Sequence, residues 1–216
     1  MTVVAFVAAA AFALVDWVGV VRDDRRLRWI GKPGVMVALI AAALLADDAP
    51  AAVRTWFVIA LVLSLVGDVA LLLRDRWFPL GLAAFLLAHL AYIAGMAQLD
   101  LELTPWILTV VVAAAVLGPP LLGAVKTGHP NLLGPVAAYL VVISAMAITA
   151  WCTGEPWLIV AAALFFASDA MLGWGRFVVP TRSTRRGPGV ERLGALAVMM
   201  TYHGAQACFV AWLATR

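Results

Sequence analysis

Eight long apolar segments are the feature that most constrains how this chain can fold. An α-helix needs about 20 apolar residues to cross a bilayer, and turns rich in Gly, Pro and charge separate the segments. The chain is 65% hydrophobic and 12% charged, and its mean hydropathy of +1.01 excludes an ordinary soluble domain. We predict one all-α domain over residues 1–216, a polytopic bundle of eight transmembrane helices at 3–21, 33–46, 52–73, 77–98, 105–125, 134–151, 157–174 and 193–213.

The basic residues are concentrated in alternate loops. Of the 15 Lys and Arg residues, only Arg54 and Arg216 lie outside the connections that follow the first, third, fifth and seventh segments. The positive-inside rule then predicts that both termini face outward from the cell membrane. The pI near 9.2 therefore reports topology, and no motif indicates a nucleic-acid partner. The alternating set is Arg22, Arg25, Arg26, Arg28, Lys32, Arg74, Arg76, Lys126, Arg176, Arg182, Arg185, Arg186 and Arg192.

Ionisable residues interrupt five of the apolar segments. They are Asp16, Asp68, His89, Asp169 and His203. Counted from the basic residues that follow them, at about 1.5 Å per residue, the aspartates lie about 9–10 Å inside the cytoplasmic boundary. The histidines lie nearer the midplane. Because charged side chains at such depth cost about 2.5–3.5 kcal/mol and usually face a bundle interior, we predict a site in the cytoplasmic half of the membrane.

Uncharged polar residues accompany this set at helical spacing. Ser64 precedes Asp68 by four residues, and Tyr92 follows His89 by three, so each pair shares one helix face. We predict that the third, fourth, seventh and eighth helices enclose one cavity in which Asp68 and Asp169 face each other. Asp16 fits a structural ion pair best. The adjacent prolines at 119 and 120 are expected to break the fifth helix near the same depth.

A faint internal repeat relates the two halves of the chain. "GDVALLL" in the third segment matches "SDAMLGW" in the seventh, and "HLAY" in the fourth matches "HGAQ" in the eighth. The repeat aligns Asp68 with Asp169 and would reflect a parallel duplication of four helices.

At these residues the sequence resembles the lysoplasmalogenase family of multi-pass membrane proteins, the YhhN-like group. The matching pieces follow the family order from the second to the eighth segment: "GKPG", "SLVGDVALLL", "FPLGLAAFLLAHLAYIAG", "PVAAYLVVISAM", "ALFFASDAMLGWGRF" and "YHGAQ". The resemblance implies an eight-helix hydrolase that cleaves the vinyl-ether bond of lysoplasmalogens. The products would be a fatty aldehyde and a glycerophospho head group.

Vinyl-ether hydrolysis requires a proton at the alkene carbon and then a water molecule at the oxocarbenium carbon. We expect Asp68 and Asp169 to divide this acid and base chemistry, with His89 orienting one carboxyl group or binding water, and with no metal or cofactor. The lysophospholipid would enter from the membrane, with its phosphate near Lys32, Arg74 or Arg176. The expected substrate-binding residues are Lys32, Ser64, Tyr92, Tyr139, Ser168, Tyr202, His203 and Gln206.

Two other functions remain open from the sequence. A zinc-dependent intramembrane hydrolase would use ligands drawn from Asp68, His89, Asp169 and His203. A small-molecule or proton-coupled transporter would also contain two related halves and membrane-embedded acids. The sequence leaves the head-group preference and the oligomeric state undetermined.

Overall fold

The computed structural model describes residues 1–73, 75–179 and 187–216. These residues form eight long α-helices and no strand. Each helix, with its flanking turn where one is present, is long and apolar enough to cross a membrane. The helices are α1 (Thr2–Arg22), α2 (Arg25–Leu44), α3 (Ala51–Leu72), α4 (Phe78–Met96), α5 (Ile107–Gly128), α6 (Leu133–Cys152), α7 (Pro156–Gly173) and α8 (Pro188–Ala214).

The start of α2 differs from the prediction and changes the surroundings of Lys32. The predicted loop before residue 33 is helical from Arg25 onward. The Asp24 side chain caps the helix by accepting hydrogen bonds from the backbone N–H groups of Arg26 and Leu27, which supplies partners for amides that the first turn leaves open. Pro33 lies inside the helix. Lys32 is therefore on a helix face and only 3% exposed, instead of in a loop.

A glycine allows α2 to lie directly against α1. A Cβ atom at Gly31 would come within 2.4 Å of the backbone nitrogen of Asp16, a distance that side-chain carbons do not tolerate. Close packing therefore requires glycine at this position. It brings the basic N-terminal half of α2 next to the buried Asp16.

The predicted break in α5 is wrong. The helix runs without interruption through Pro119 and Pro120. A proline removes one backbone hydrogen bond, but proline is tolerated within membrane helices. The main contacts of α5 are with α6 and with the π-helical turn Trp174–Val178 that extends α7. This helix therefore forms an outer wall of the bundle.

The remaining helices surround a shared interior. α3 packs against α4, α7 packs against α8, and cross-contacts join α4 to α6 and α8 to α1, α2 and α3. Aromatic side chains fill one part of the core, where Phe57 contacts Tyr92, Phe209 and Trp212. The polar residues of α3, α4 and α8 are buried in the same interior.

Candidate functional site

Asp169 of α7 lies at the centre of one polar cluster. The Tyr139 hydroxyl group of α6 donates a hydrogen bond of 2.5 Å to Asp169 Oδ2. His89 of α4 approaches the same oxygen, with its Nε2 atom 3.9 Å away. The His89 side chain is fully buried, and its ring packs edge-on against Tyr139 and Phe165. Three helices thus position one carboxyl group, whose side chain keeps 16% of its surface exposed.

This carboxyl group lines an apolar cleft between α4, α5, α6 and α7. The cleft encloses about 850 Å³, including the part that is open to the surroundings. Its polar and charged lining residues include Asp169, Tyr139 and Arg176. The apolar walls include Leu82 and Phe85 of α4, Leu117 and Leu121 of α5, Val136, Leu140 and Ile143 of α6, and Phe166 and Gly173 of α7.

Asp68 of α3 lies in a separate and closed polar cluster. Its Oδ1 atom is 3.0 Å from Lys32 Nζ of α2, and its Oδ2 atom accepts a hydrogen bond of 2.7 Å from the Tyr202 hydroxyl group of α8. The carboxylate has no exposed surface. Unlike Asp169, it does not line the cleft between α4 and α7. The structure therefore differs from the predicted common cavity of the third, fourth, seventh and eighth helices.

An aromatic contact connects the two clusters. The Phe165 ring centroid lies 4.6 Å from that of His89 and 5.4 Å from that of Tyr202. Lys32 is also close enough to interact electrostatically with both Asp68 and Asp169. The carboxyl groups are thus electrostatic neighbours without sharing an opening.

The other predicted substrate-binding residues lie outside the cleft. Tyr92 donates a hydrogen bond of 2.5 Å to the side-chain oxygen of Gln206, and Ser168 donates one to the Val198 carbonyl oxygen. Ser64 is fully buried on α3. The hydrogen bonds of Tyr92 and Ser168 join helices, which is the usual structural use of polar groups within a bundle. Of the eight residues predicted to bind substrate, Tyr139 alone lines the cleft.

His203 belongs to a third cluster, with Asp16. Its Nδ1 atom accepts a hydrogen bond of 3.1 Å from Trp17 Nε1, and its Nε2 atom lies 4.0 Å from Asp16 Oδ2. Arg28 Nε is 3.6 Å from the other oxygen of Asp16. This arrangement agrees with the interpretation of Asp16 as a member of a structural ion pair. Arg74, the remaining candidate phosphate ligand beside Lys32 and Arg176, lies outside the described residues.

A preformed zinc site is not found among the residues that the structure describes. Within residues 1–73, 75–179 and 187–216, no group of three or more His, Cys, Asp or Glu side chains is arranged to hold a metal ion. The four ligands considered for zinc are divided instead among the three clusters.

Sequence reasoning missed most of the cleft. Its walls are Leu, Val, Ile and Phe side chains, which have the same composition as lipid-facing helix surfaces. Polar residues were the only usable signal, and they identified Asp169 and Tyr139. Arg176 was among the candidate phosphate ligands, but its sequence position did not distinguish it from the other basic residues in the same set of connections.

These features define the class of protein: a multi-pass helical membrane protein with a carboxyl group at the wall of an apolar cleft. The YhhN family profile matches residues 27–213. The chain therefore belongs to the YhhN family, which confirms the resemblance found in the sequence.

Curated relatives show which proteins the chain is similar to. The lysoplasmalogenase of Mycobacterium tuberculosis (strain CDC 1551 / Oshkosh) is 40% identical over 154 residues, which cover 67% of this chain and 58% of the relative. Lysoplasmalogenase TMEM86B of Rattus norvegicus is 30% identical over 161 residues, covering 73% of this chain and 61% of the relative. The match thus spans about three fifths of the length of these relatives. No solved structure matches the chain significantly.

Proposed function

We propose that the protein is a membrane-embedded hydrolase that cleaves the vinyl-ether bond of a lysoplasmalogen, giving a fatty aldehyde and a glycerophospho head group. The observation that carries the proposal is the Asp169 carboxyl group at the wall of a cleft that is otherwise mainly apolar. The alkenyl chain can occupy such a cleft while its first carbons lie beside the acid. The names of the relatives in Mycobacterium tuberculosis and Rattus norvegicus support the same substrate.

Asp169 is the group that exchanges protons with the substrate in this proposal. Its carboxyl proton is transferred to the alkene carbon distant from the ether oxygen, and the electron pair of the double bond forms the new C–H bond. The resulting oxocarbenium carbon is attacked by water, and the Asp169 carboxylate accepts the proton that the water releases. The bond from the hemiacetal carbon to the glycerol oxygen then breaks; the hemiacetal hydroxyl group loses its proton, the glycerol oxygen gains one, and the aldehyde leaves. No net proton, oxidant or reductant is consumed.

The surroundings of Asp169 suit this cycle. Tyr139 holds Oδ2 through a hydrogen bond, which fixes the orientation of the carboxyl group and leaves the other oxygen for proton transfer. His89 lies 3.9 Å from Oδ2, a distance at which a small movement or one water molecule can connect the two groups. We assign His89 the role of a positioning residue.

Asp68 has a different part in the proposed site from that expected from the sequence. Lys32 compensates its charge at 3.0 Å, and both side chains are enclosed. We propose that Asp68 contacts no substrate and acts as the counter-ion that keeps Lys32 in place. Lys32 in turn interacts with Asp169 and contributes positive potential when the Asp169 carboxylate forms.

The decisive experiment is direct assay of aldehyde release. Purified protein is incubated in detergent or lipid with an alkenyl lysophospholipid, and the fatty aldehyde is trapped and quantified. The expected result is enzyme-dependent release of one aldehyde per head group. A 1-acyl lysophospholipid should yield no aldehyde, and fatty acid release from it would point to an esterase instead.

We further propose a location in the cell membrane, with the site in the cytoplasmic half and both termini outside. The distribution of basic residues between the two sets of connections supports this topology. Reporter fusions that function only in the cytoplasm should be silent at Arg216 and active in the connection between α7 and α8. The reverse pattern would place the cleft in the outer half.

A further inference from the structure

The cleft contains one side chain with a permanent positive charge among the lining residues that the structure describes. That side chain is Arg176, in the π-helical turn that extends α7. It follows Asp169 by seven residues, which corresponds to about 10 Å along a helix. Turns of the π type occur frequently at functional sites. An acid and a cation thus occupy separate places along one apolar cleft.

The guanidinium group of Arg176 is held in a defined orientation and still has access to the surroundings. It lies over the Phe78 ring, with 4.0 Å between its Cζ atom and the ring centroid. One nitrogen is 3.5 Å from Asp75 Oδ1. The Arg176 side chain is 34% exposed and the Asp75 side chain 94% exposed, so this ion pair is weak and an incoming anion can replace it.

We propose that Arg176 binds the phosphodiester group of the lysolipid and so places the vinyl-ether bond beside Asp169. This inference rests on the proposed function and names the residue that binds the phosphate of its substrate. Stacking on Phe78 leaves the edge of the guanidinium group free for two parallel hydrogen bonds to phosphate oxygens. In the proposed complex, the few bonds between the phosphorus and the vinyl-ether oxygen, together with the reach of the arginine side chain, span the separation of the two residues.

Lys32, the other cation expected to bind phosphate, does not fit this role. It is 3% exposed, pairs with Asp68 and does not line the cleft. An anion at Lys32 would have to displace an enclosed carboxylate, which costs far more than displacing an exposed one. The geometry therefore separates the phosphate site from the buried ion pair.

The test compares two substrates in the unaltered protein and in Arg176→Gln. One substrate is a 1-alkenyl lysophospholipid, and the other is the corresponding 1-alkenylglycerol, which has the same vinyl-ether bond without the phosphate. The kcat/KM ratio of the phospholipid to the neutral lipid should fall about tenfold or more in the variant, mainly through KM, because a charge-assisted contact to phosphate is lost. Arg176→Lys should restore part of the ratio.

Arg76→Gln is the matched control. Arg76 lies in the short turn Asp75–Trp77 before α4. Its guanidinium group lies over the Trp77 ring, and the residue does not line the cleft. This control should keep the substrate ratio of the unaltered protein. If Arg176→Gln lowers activity on both substrates equally, or if Arg76→Gln changes the ratio as much, the assignment of Arg176 is overturned.

A binding measurement separates failure of this inference from failure of the proposed reaction. The probes are a lysophospholipid with a saturated 1-alkyl ether bond and the matching 1-alkylglycerol, neither of which contains a vinyl ether. The protein should bind the phospholipid more tightly, and Arg176→Gln should remove the difference. This result would support the phosphate site even if no aldehyde were released. Equal binding of both probes by the unaltered protein would contradict it.

Discussion

The weak sequence match between the two halves of the chain aligns Asp68 with Asp169, but the structure gives the two residues different surroundings. Asp68 is fully enclosed, with Lys32 at 3.0 Å and Tyr202 at 2.7 Å. Asp169 lines an open cleft, receives a hydrogen bond from Tyr139 and has His89 at 3.9 Å. The two carboxyl groups share their residue type, and they differ in charge compensation and access.

In the proposed function, this difference separates a structural carboxylate from a reactive one. A carboxyl group that is enclosed beside a lysine cannot transfer a proton to a substrate that it does not touch. A carboxyl group beside a cleft, with a neutral hydroxyl donor as its nearest partner, can exchange protons with a bound molecule. The four predictions below test this assignment.

The largest expected effect is loss of stability in Asp68→Asn. This change leaves the Lys32 ammonium group buried without its counter-ion, and breaking such a pair costs about 3–5 kcal/mol. Denaturant titration of the purified variant in detergent should show a free energy of unfolding lower by about this amount. A stably folded Asp68→Asn protein that lacks only activity would contradict the structural assignment.

A double variant provides the control for that measurement. Lys32→Met combined with Asp68→Asn removes both charges and keeps an acceptor for the Tyr202 hydroxyl group. Most of the lost stability should return, because replacing a whole buried pair by neutral groups is often close to neutral in free energy. If the double variant is as unstable as Asp68→Asn alone, the ion pair is not the source of the effect.

The second prediction concerns Asp169→Asn, which should fold normally and lose activity. The amide oxygen still accepts the Tyr139 hydrogen bond, but the side chain can no longer transfer a proton. Aldehyde release from an alkenyl lysophospholipid should fall by at least about 10²-fold in kcat. Near-normal turnover would remove Asp169 from the chemistry, and an unfolding midpoint far below that of the unaltered protein would make its role structural.

The sequence was sufficient for most of the fold, because hydropathy and helix length are local properties. Eight helices were expected and eight are found within the described residues. The error at α2 came from Asp24, whose capping side chain starts a helix in a stretch whose charge, Gly and Pro are typical of loops. The error at Pro119 and Pro120 came from treating proline as in water-soluble helices.

The site was predicted less completely, because access is a property of tertiary packing. Residue type and expected depth predicted that Asp68, His89 and Asp169 belong to one set within the membrane. Neither quantity indicates that Lys32 lies on a helix beside Asp68, or that the opening beside Asp169 is lined by α5 and α6. The apolar residues that form the cleft have no sequence pattern that separates them from residues facing lipid.

The third prediction tests whether the cleft beside Asp169 holds the lipid chain. Gly173 lines the cleft, and a Cβ atom there would meet only Leu121, at 3.5 Å. Gly173→Leu should therefore fold and place its side chain in the space for substrate, lowering kcat/KM by about tenfold or more. Gly175→Leu is the control, because a Cβ atom at Gly175 meets nothing within 4 Å and the residue does not line the cleft. Equal losses in both variants would argue against the cleft as the chain site.

The smallest expected effects come from removing one hydroxyl group at each carboxyl group. Tyr139→Phe deletes the hydrogen bond to Asp169, and Tyr202→Phe deletes the one to Asp68. Each bond contributes about 1 kcal/mol. If the clusters have the assigned roles, Tyr139→Phe lowers kcat/KM for aldehyde release about fivefold, while Tyr202→Phe lowers the free energy of unfolding and keeps kcat/KM nearly unchanged. The opposite pattern, with activity lost in Tyr202→Phe and retained in Tyr139→Phe, would exchange the roles of Asp68 and Asp169.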